Sequence, residues 1–336
     1  MAASTSRRCR LLADIGGTNA RFGWQADSGT GIEHVRTLPC AAHADIESAI
    51  RSYLESCGLP NPACASLAIA TPVGGDLVSM TNHAWSFSIE ALRERIGARR
   101  LCVVNDFTAL ALGVPALEEG ARWQIGGTVS SASGPIAVVG PGTGLGMSGL
   151  LPTAQPGVFL PITGEGGHAT VPAETEREFA VVQSLRKLYG HASAERVLSG
   201  PGLVDLYHTL ATLENSPARV QGPGEVVEQW HSGDHRIAKE CVSMFCALLG
   251  SVAGNFALAL GARGGVYIGG GIVPRLGASF AATQFRERFE AKGRFRNYLE
   301  PVPVWVITAQ TSPALAGAGY ALDLGPGAAG RWALAA

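Results

Sequence analysis

Two stretches carry apolar residues straight into glycine: Leu12-Ala13-Asp14-Ile15-Gly16-Gly17-Thr18 and Val139-Gly140-Pro141-Gly142-Thr143-Gly144. A glycine turn after a strand exposes backbone N–H groups that can cradle phosphate oxygens. A third run, Gly269-Gly270-Gly271, follows Val266-Tyr267-Ile268. Asn105-Asp106 closes another apolar run and precedes a helical pattern. An aspartate there either caps the helix or presents a carboxylate as a base. Glu165 and His168 have E-x-x-H spacing, which a di-iron helix pair would also show. Gly164, Gly166 and Gly167 argue against a helix at that point, and no second copy of the spacing occurs. A glycine-rich loop would instead let both side chains reach a small polar ligand, or leave them solvated.

Glycine turns serve several phosphate chemistries. The Walker loop requires Gly-Lys-Ser/Thr, but Lys187, Lys239 and Lys292 are the only lysines and none follows a glycine. The dinucleotide pattern GxGxxG matches Gly144, Gly146 and Gly149, but it should open a helix. Leu150-Leu151-Pro152 follows, with Pro156 close behind, and proline opposes that helix.

Strand-like and helix-like segments alternate along the chain, which predicts an α/β architecture. Strands are expected at Leu11–Ile15, Ala65–Ala70, Leu101–Val104, Ile136–Val139, Gly265–Ile268 and Val302–Ile307. Helices are expected at Ile46–Leu54, Ile89–Ile96, Phe107–Leu112, Glu174–Leu188, Arg236–Leu260 and Ala314–Leu322. Segment 211–235 is polar and holds Pro217 and Pro223, so a surface excursion is expected. The strand-then-glycine unit at Leu11–Thr18 recurs at Ile136–Gly146, a weak internal similarity between two halves.

The chain has 336 residues, enough for two domains, and 46% are hydrophobic, enough for a large core. Net charge is −1, and no basic stripe offers an electrostatic footprint for nucleic acid. The seven cysteines are scattered, with no CxxC or zinc-knuckle spacing, as expected of reduced thiols in a cytosolic protein. Ser6-Arg7-Arg8 faintly suggests a twin-arginine export signal, but Asp14 ends the apolar region too soon. Cys241–Ala262 carries no charge, is long enough to span a bilayer and contains Gly250-x-x-x-Gly254. Ser243, Ser251 and Asn255 interrupt it, so a buried core helix is the expectation.

Taken in order, the segments resemble the bacterial glucokinase family of the actin-like ATPase/sugar kinase superfamily, from about Leu11 to Leu322. Leu12–Arg21 looks like that family's first phosphate loop and Val139–Gly146 like its second. Gly265–Pro274 resembles its adenosine segment. Thr81-Asn82-His83-Ala84-Trp85, Val104–Ala109, Gly164–His168 and Ser193–Gly202 resemble further family segments. The resemblance implies a two-domain actin-like (ribonuclease H-like) α/β fold with an interdomain cleft. It divides the chain into a small domain, 1–115, completed by the C-terminal helix 309–336, and a large domain, 116–308.

It implies ATP-dependent phosphorylation of glucose at the 6-hydroxyl in glycolysis, or a broader hexose kinase of the same fold. Asp106 would be the base, since a sugar hydroxyl must lose its proton as it attacks the γ-phosphorus. Asn105, Asp106, Glu165, His168 and Glu195 would bind the sugar, with Asn82 and His83 as more distant contacts. Ala13, Asp14, Ile15, Gly16, Gly17, Thr18, Gly142, Thr143, Gly144, Gly269, Gly270 and Gly271 would bind ATP. Mg2+ would arrive with ATP, held through water to Asp14 and by no dedicated protein site. Glucose and ATP are the implied partners, in a cytoplasmic homodimer without nucleic acid or membrane.

Repressor-type relatives bind zinc through cysteines after the histidine motif; Ala169–Glu178 has none, so no structural zinc is expected. A sugar-sensing repressor would need a DNA-binding module, and only about ten residues precede the first strand. Thr311-Ser312-Pro313-Ala314-Leu315-Ala316-Gly317 follows the family pattern only loosely.

Overall fold

The computed structural model describes residues 9–128, 131, 133–324 and the backbone of 334–335. Ser6, Arg7 and Arg8 lie outside the described residues. The chain divides into two compact units. The first comprises Met1–Glu119, Thr153–Thr163 and Ala309–Ala336, and the second Gly120–Pro152 and Gly164–Thr308.

The first unit holds strands β1 (Arg10–Ile15), β2 (Asn19–Gln25), β3 (Ile32–Pro39), β4 (Cys64–Ile69), β5 (Leu77–Ser79), β6 (Ser86–Ser88) and β7 (Arg100–Asn105). Its helices are α1 (Ile46–Cys57), α2 (Ile89–Arg95) and α3 (Asp106–Gly113). In the main sheet β2 runs antiparallel to β1, while β4 and β7 run parallel to it. Leu11, Ala13 and Ile15 alternate along β1 into one core cluster with Ala65, Leu67 and Ile69 of β4. Local chemistry fixes the first helix. Asp45 and Ser48 form a reciprocal capping box at its start, and Gly58 ends it at φ 63°.

The second unit holds β8 (Arg122–Ile125), β9 (Ile136–Pro141) and β10 (Leu145–Pro152), and β11 (Phe159–Thr163) groups with the first. Helices α4 (Glu176–Tyr189), α5 (Gly200–Leu213), α6 (Pro223–Ser232) and α7 (Arg236–Leu260) follow. Then come β12 (Gly265–Ile268), α8 (Ile272–Leu276), α9 (Phe285–Glu290), α10 (Arg296–Leu299) and β13 (Val304–Ile307). Here β10 runs antiparallel to β9, β12 parallel to β9, and β13 parallel to β12. The order β2-β1-β4-β7 of one sheet is therefore repeated as β10-β9-β12-β13 in the other. Each glycine turn is the bend of the central hairpin in its own sheet. The weak similarity in sequence corresponds to one repeated topology.

The final helix, α11 (Pro313–Leu324), groups with the first unit, and β14 (Leu334–Ala335) pairs with β7. Asp323 meets Arg10 at 2.6 Å and the Leu322 carbonyl accepts from Arg100 at 2.8 Å, so basic side chains sit at the helix C-terminus. The Tyr320 hydroxyl accepts the Phe159 N–H at 2.9 Å, which ties β11 to the same helix.

Segment 211–235 departs from expectation. It contains the end of α5 and all of α6, with Val220, Val226 and Val227 buried. Pro223 stands in the first turn of α6, where its missing N–H costs nothing. The apolar α7 is the one helix among the described residues long and apolar enough to cross a membrane, and its apolar window is 78% buried inside the protein. A Cβ on Gly250 would collide with the Phe285 carbonyl, and one on Gly254 would lie 2.5 Å from the Phe289 carbonyl. The small-residue pair thus seats α9 against α7. In a helix interior Gly→Ala ordinarily stabilises by about 1 kcal/mol. Gly254→Ala should instead destabilise by roughly 1–3 kcal/mol through overpacking, read from urea unfolding.

Candidate active site

In the first unit the site lies at the carboxyl ends of parallel strands, where open α/β sheets place their ligands. Ala13, Asp14 and Ile15 end β1, and Gly16, Gly17 and Thr18 turn the chain into β2. The Gly16 N–H donates to the Asn19 carbonyl at 2.9 Å and closes the bend. From outside the hairpin, the Cys40 N–H donates to the Thr18 carbonyl at 2.8 Å and its thiol to the Gly16 carbonyl at 3.4 Å. A Cβ on Gly17 would lie 2.8 Å from the Asn82 carbonyl, so this turn packs directly on the Thr81–His83 segment. Asp14 faces Arg21 across the hairpin, with 3.5 Å between oxygen and guanidinium. Burial raises the Asp14 pKa, opposed by a Ser312 hydrogen bond and the Arg21 charge.

Asn105 closes β7 in the same row as Ile69 of β4, which pairs with Ile15 of β1. Its side-chain oxygen accepts the N–H groups of Phe107 at 3.0 Å and Thr108 at 3.2 Å. Asn105 is therefore the helix cap, and Asp106 is the first residue inside α3. The N-cap position weighed for Asp106 thus belongs to its neighbour. The Asn105 amide donates to Asp106 Oδ1 at 3.0 Å, and the Phe107 N–H donates to the same oxygen at 2.9 Å. Burial, then the charge of Asp14, pushes the Asp106 carboxyl up to about 6 against these hydrogen bonds. A carboxylate there is a stronger base than a solvated aspartate, yet ionised at neutral pH.

In the second unit Gly142, Thr143 and Gly144 form the bend between β9 and β10, closed by the Gly142 N–H on the Gly144 carbonyl at 2.8 Å. The Gly269 N–H donates to the Val139 carbonyl at 2.8 Å, which brings Gly269, Gly270 and Gly271 beside the end of β9. Gly146 and Gly149 belong to a strand, so the GxGxxG match opens no helix. Glu165 precedes a single 3-10 turn, Gly166–His168, and His168 ends it. A second such turn, Ala194–Arg196, presents Glu195. His168 Nε2 lies 3.9 Å from Glu165 Oε2, and Nδ1 lies 3.9 Å from Glu195 Oε1. Those gaps exceed hydrogen-bond length, so the three side chains form an open row of donors and acceptors. His168 and Glu165 are 60% and 58% exposed at the side chain, while Glu195 is 30% exposed. Glu195 Oε2 accepts the Leu145 N–H at 2.9 Å, at the exit of the glycine bend.

Ser312 escaped sequence reasoning as a site residue, although a serine before proline at a helix start is a recognisable cap signal. Thr71 escaped it too. Its hydroxyl lies 3.0 Å from that of Thr81, and its carbonyl 3.5 Å from the Asn105 amide. No sequence signal marks a backbone carbonyl for that duty.

Two sheets of one repeated order, each bending at a glycine turn, are the architecture of the actin-like sugar kinases. A family model described as glucokinase matches residues 11–324. A glucokinase of Aromatoleum aromaticum is 49% identical over 315 residues, covering 94% of each chain. A bifunctional protein of Burkholderia pseudomallei is 48% identical over 302 residues, or 90% of this chain but 46% of that one. The chain thus spans about half the length of the bifunctional relatives. The crystal structure of a glucokinase from an Antarctic psychrotroph aligns with TM-score 0.85 at 35% identity, covering 94% of this chain and 99% of that one. The chain belongs to the glucokinase family.

Proposed function

We propose that this chain transfers the γ-phosphoryl group of ATP to the 6-hydroxyl of glucose, with Asp106 as the base. The observation that carries the assignment is the Asp106 carboxyl, fixed at the first turn of α3 by the Asn105 amide and the Phe107 N–H while Asn105 takes the cap. The hydroxyl attacks phosphorus as its proton passes to Asp106, and ADP leaves. Phosphoryl transfer asks little covalent chemistry of the protein, so the remaining residues position and neutralise. Asn105, Glu165, His168 and Glu195 bind sugar hydroxyls, their mixed donors and acceptors suiting a polyol. Gly16, Gly17, Thr18, Gly142, Thr143 and Gly144 take the phosphates through backbone N–H and hydroxyl groups. Gly269, Gly270 and Gly271 adjoin the adenosine.

The donor set fits Mg2+ delivered with the nucleotide. Among the described residues no three His, Cys, Asp or Glu side chains gather as a metal cage. A divalent ion that keeps most of its waters needs only phosphate oxygens and one nearby carboxylate, here Asp14. Mg2+ would neutralise charge on the β- and γ-oxygens. A cytoplasmic homodimer, binding neither membrane nor nucleic acid, completes this reading; for nucleic acid the support is a net charge of −1 without a basic stripe.

The pH dependence follows from the raised carboxyl. Only ionised Asp106 can accept the proton. The value of kcat/KM should therefore be flat above pH 7 and fall about tenfold per unit once pH drops below about 6. A limb centred near 4 in the free enzyme would show that burial and Asp14 do not raise this carboxyl. The substrate is tested with a coupled ATP assay over a hexose panel. Glucose should give the highest kcat/KM; faster turnover of fructose or N-acetylmannosamine would replace glucose by a broader hexose class.

A further inference from the structure

We propose that Glu195 also holds the second phosphate loop in its nucleotide-ready shape, as a positioning residue for the triphosphate. This rests on the sugar-kinase reading above and assigns the same carboxylate a second duty. The two oxygens of Glu195 face different ways. Oε1 looks toward His168, 3.9 Å away, and Oε2 accepts the Leu145 N–H at 2.9 Å. Leu145 is the first strand residue after Gly142-Thr143-Gly144. The bond therefore sets the direction in which the chain leaves the bend and aims the preceding N–H groups.

The absence of a side chain at Gly144 is what admits the carboxylate. A Cβ there would stand 2.5 Å from Glu195 Oε2. The contact is reinforced further along the segment, where the Gly200 N–H donates to the Gly142 carbonyl at 2.8 Å. Glu195 itself is held. The Ser199 hydroxyl donates to its carbonyl at 2.8 Å, and the Arg196 guanidinium stacks 3.9 Å above the Tyr189 ring. Tyr189 in turn donates to Asp205 at 2.6 Å. The sugar segment and the phosphate loop are thus one bonded body within this unit. Any displacement of Glu195 by a bound sugar would reach the loop through the Leu145 bond, and by linkage the reverse would hold.

The test measures equilibrium binding without turnover. AMPPNP affinity is determined by calorimetry in the absence of sugar, and glucose affinity in the absence of nucleotide. Glu195→Ala should weaken AMPPNP about tenfold, the worth of one charge-assisted hydrogen bond. Glu195→Gln keeps an acceptor for Leu145 and should retain most of that affinity. Gly144→Ala leaves the carboxylate in the sequence but pushes it aside, and should weaken glucose as well as AMPPNP. Thermal unfolding of each variant excludes collapse of the unit as the cause. Unchanged AMPPNP affinity in Glu195→Ala, with glucose binding lost, would overturn the second duty and leave the sugar assignment standing. Weakened AMPPNP with unchanged glucose affinity would keep the loop role and remove Glu195 from the sugar site.

Discussion

Replacing Asp106 with asparagine should lower kcat by roughly 10²–10⁴-fold while leaving glucose affinity within a few-fold of the parent. The substitution is nearly isosteric. Its amide oxygen can still accept the Phe107 N–H that now meets Asp106 Oδ1 at 2.9 Å, so the start of α3 should survive. What the amide cannot do is take a proton from the attacking hydroxyl. Asp14 in turn loses its like-charged neighbour. The pH limb near 6 should vanish from the residual activity, because the group that titrates there is gone. Full turnover in Asp106→Asn would place the base elsewhere. Loss of glucose binding together with turnover would make Asp106 a ligand rather than a base.

Arg288→Ala should destabilise the second unit by about 3–5 kcal/mol, the cost of leaving a buried charge without its partner. Arg288 and Glu178 have side chains only 11% and 4% exposed and meet at 2.7 Å. Arg288 also donates to the Ser251 hydroxyl at 3.1 Å, and Ser251 donates to Glu174 at 3.0 Å. The network joins α9, α7 and the start of α4. Urea unfolding should show a lower midpoint, and the double variant Glu178→Leu/Arg288→Leu should lose less than the single one. Additive losses would show that the pair is not coupled.

Burial alone would raise the Glu178 pKa. The Arg288 hydrogen bond and charge, with the N–H groups of Glu174 and Thr175, outweigh it and hold the carboxyl below its ordinary value. A depressed carboxylate contributes stability above its unfolded pKa and loses it as pH falls through the folded one. The network should therefore weaken only below about pH 4.5. In Arg288→Ala that acid-side loss should be smaller.

The ends of elements were legible wherever a local rule governs them. Arg236–Leu260 and Gly265–Ile268 were bounded correctly, because their apolar runs stop at charged or glycine residues. Strands β2 and β10 were not read, since their glycine and polar residues obscure any alternation; they exist because a neighbouring strand supplies the pairing. Helix α6 was hidden by Pro223, which reads as a breaker until its place in the first turn is known.

By itself, the sequence determined the α/β alternation, both glycine turns, the residue types available for phosphate and sugar, and the exclusion of a Walker loop. These depend on neighbours a few positions apart, which sequence displays directly. Tertiary structure alone decided that Asn105 caps α3 and so releases Asp106, that Ser312 and Arg21 oppose the burial of Asp14, and that Glu195 grips the Leu145 N–H. Hydrogen bonds and charge act over a few ångströms of space. Residues 50 or more positions apart, such as Leu145 and Glu195, meet only when packing brings their elements together.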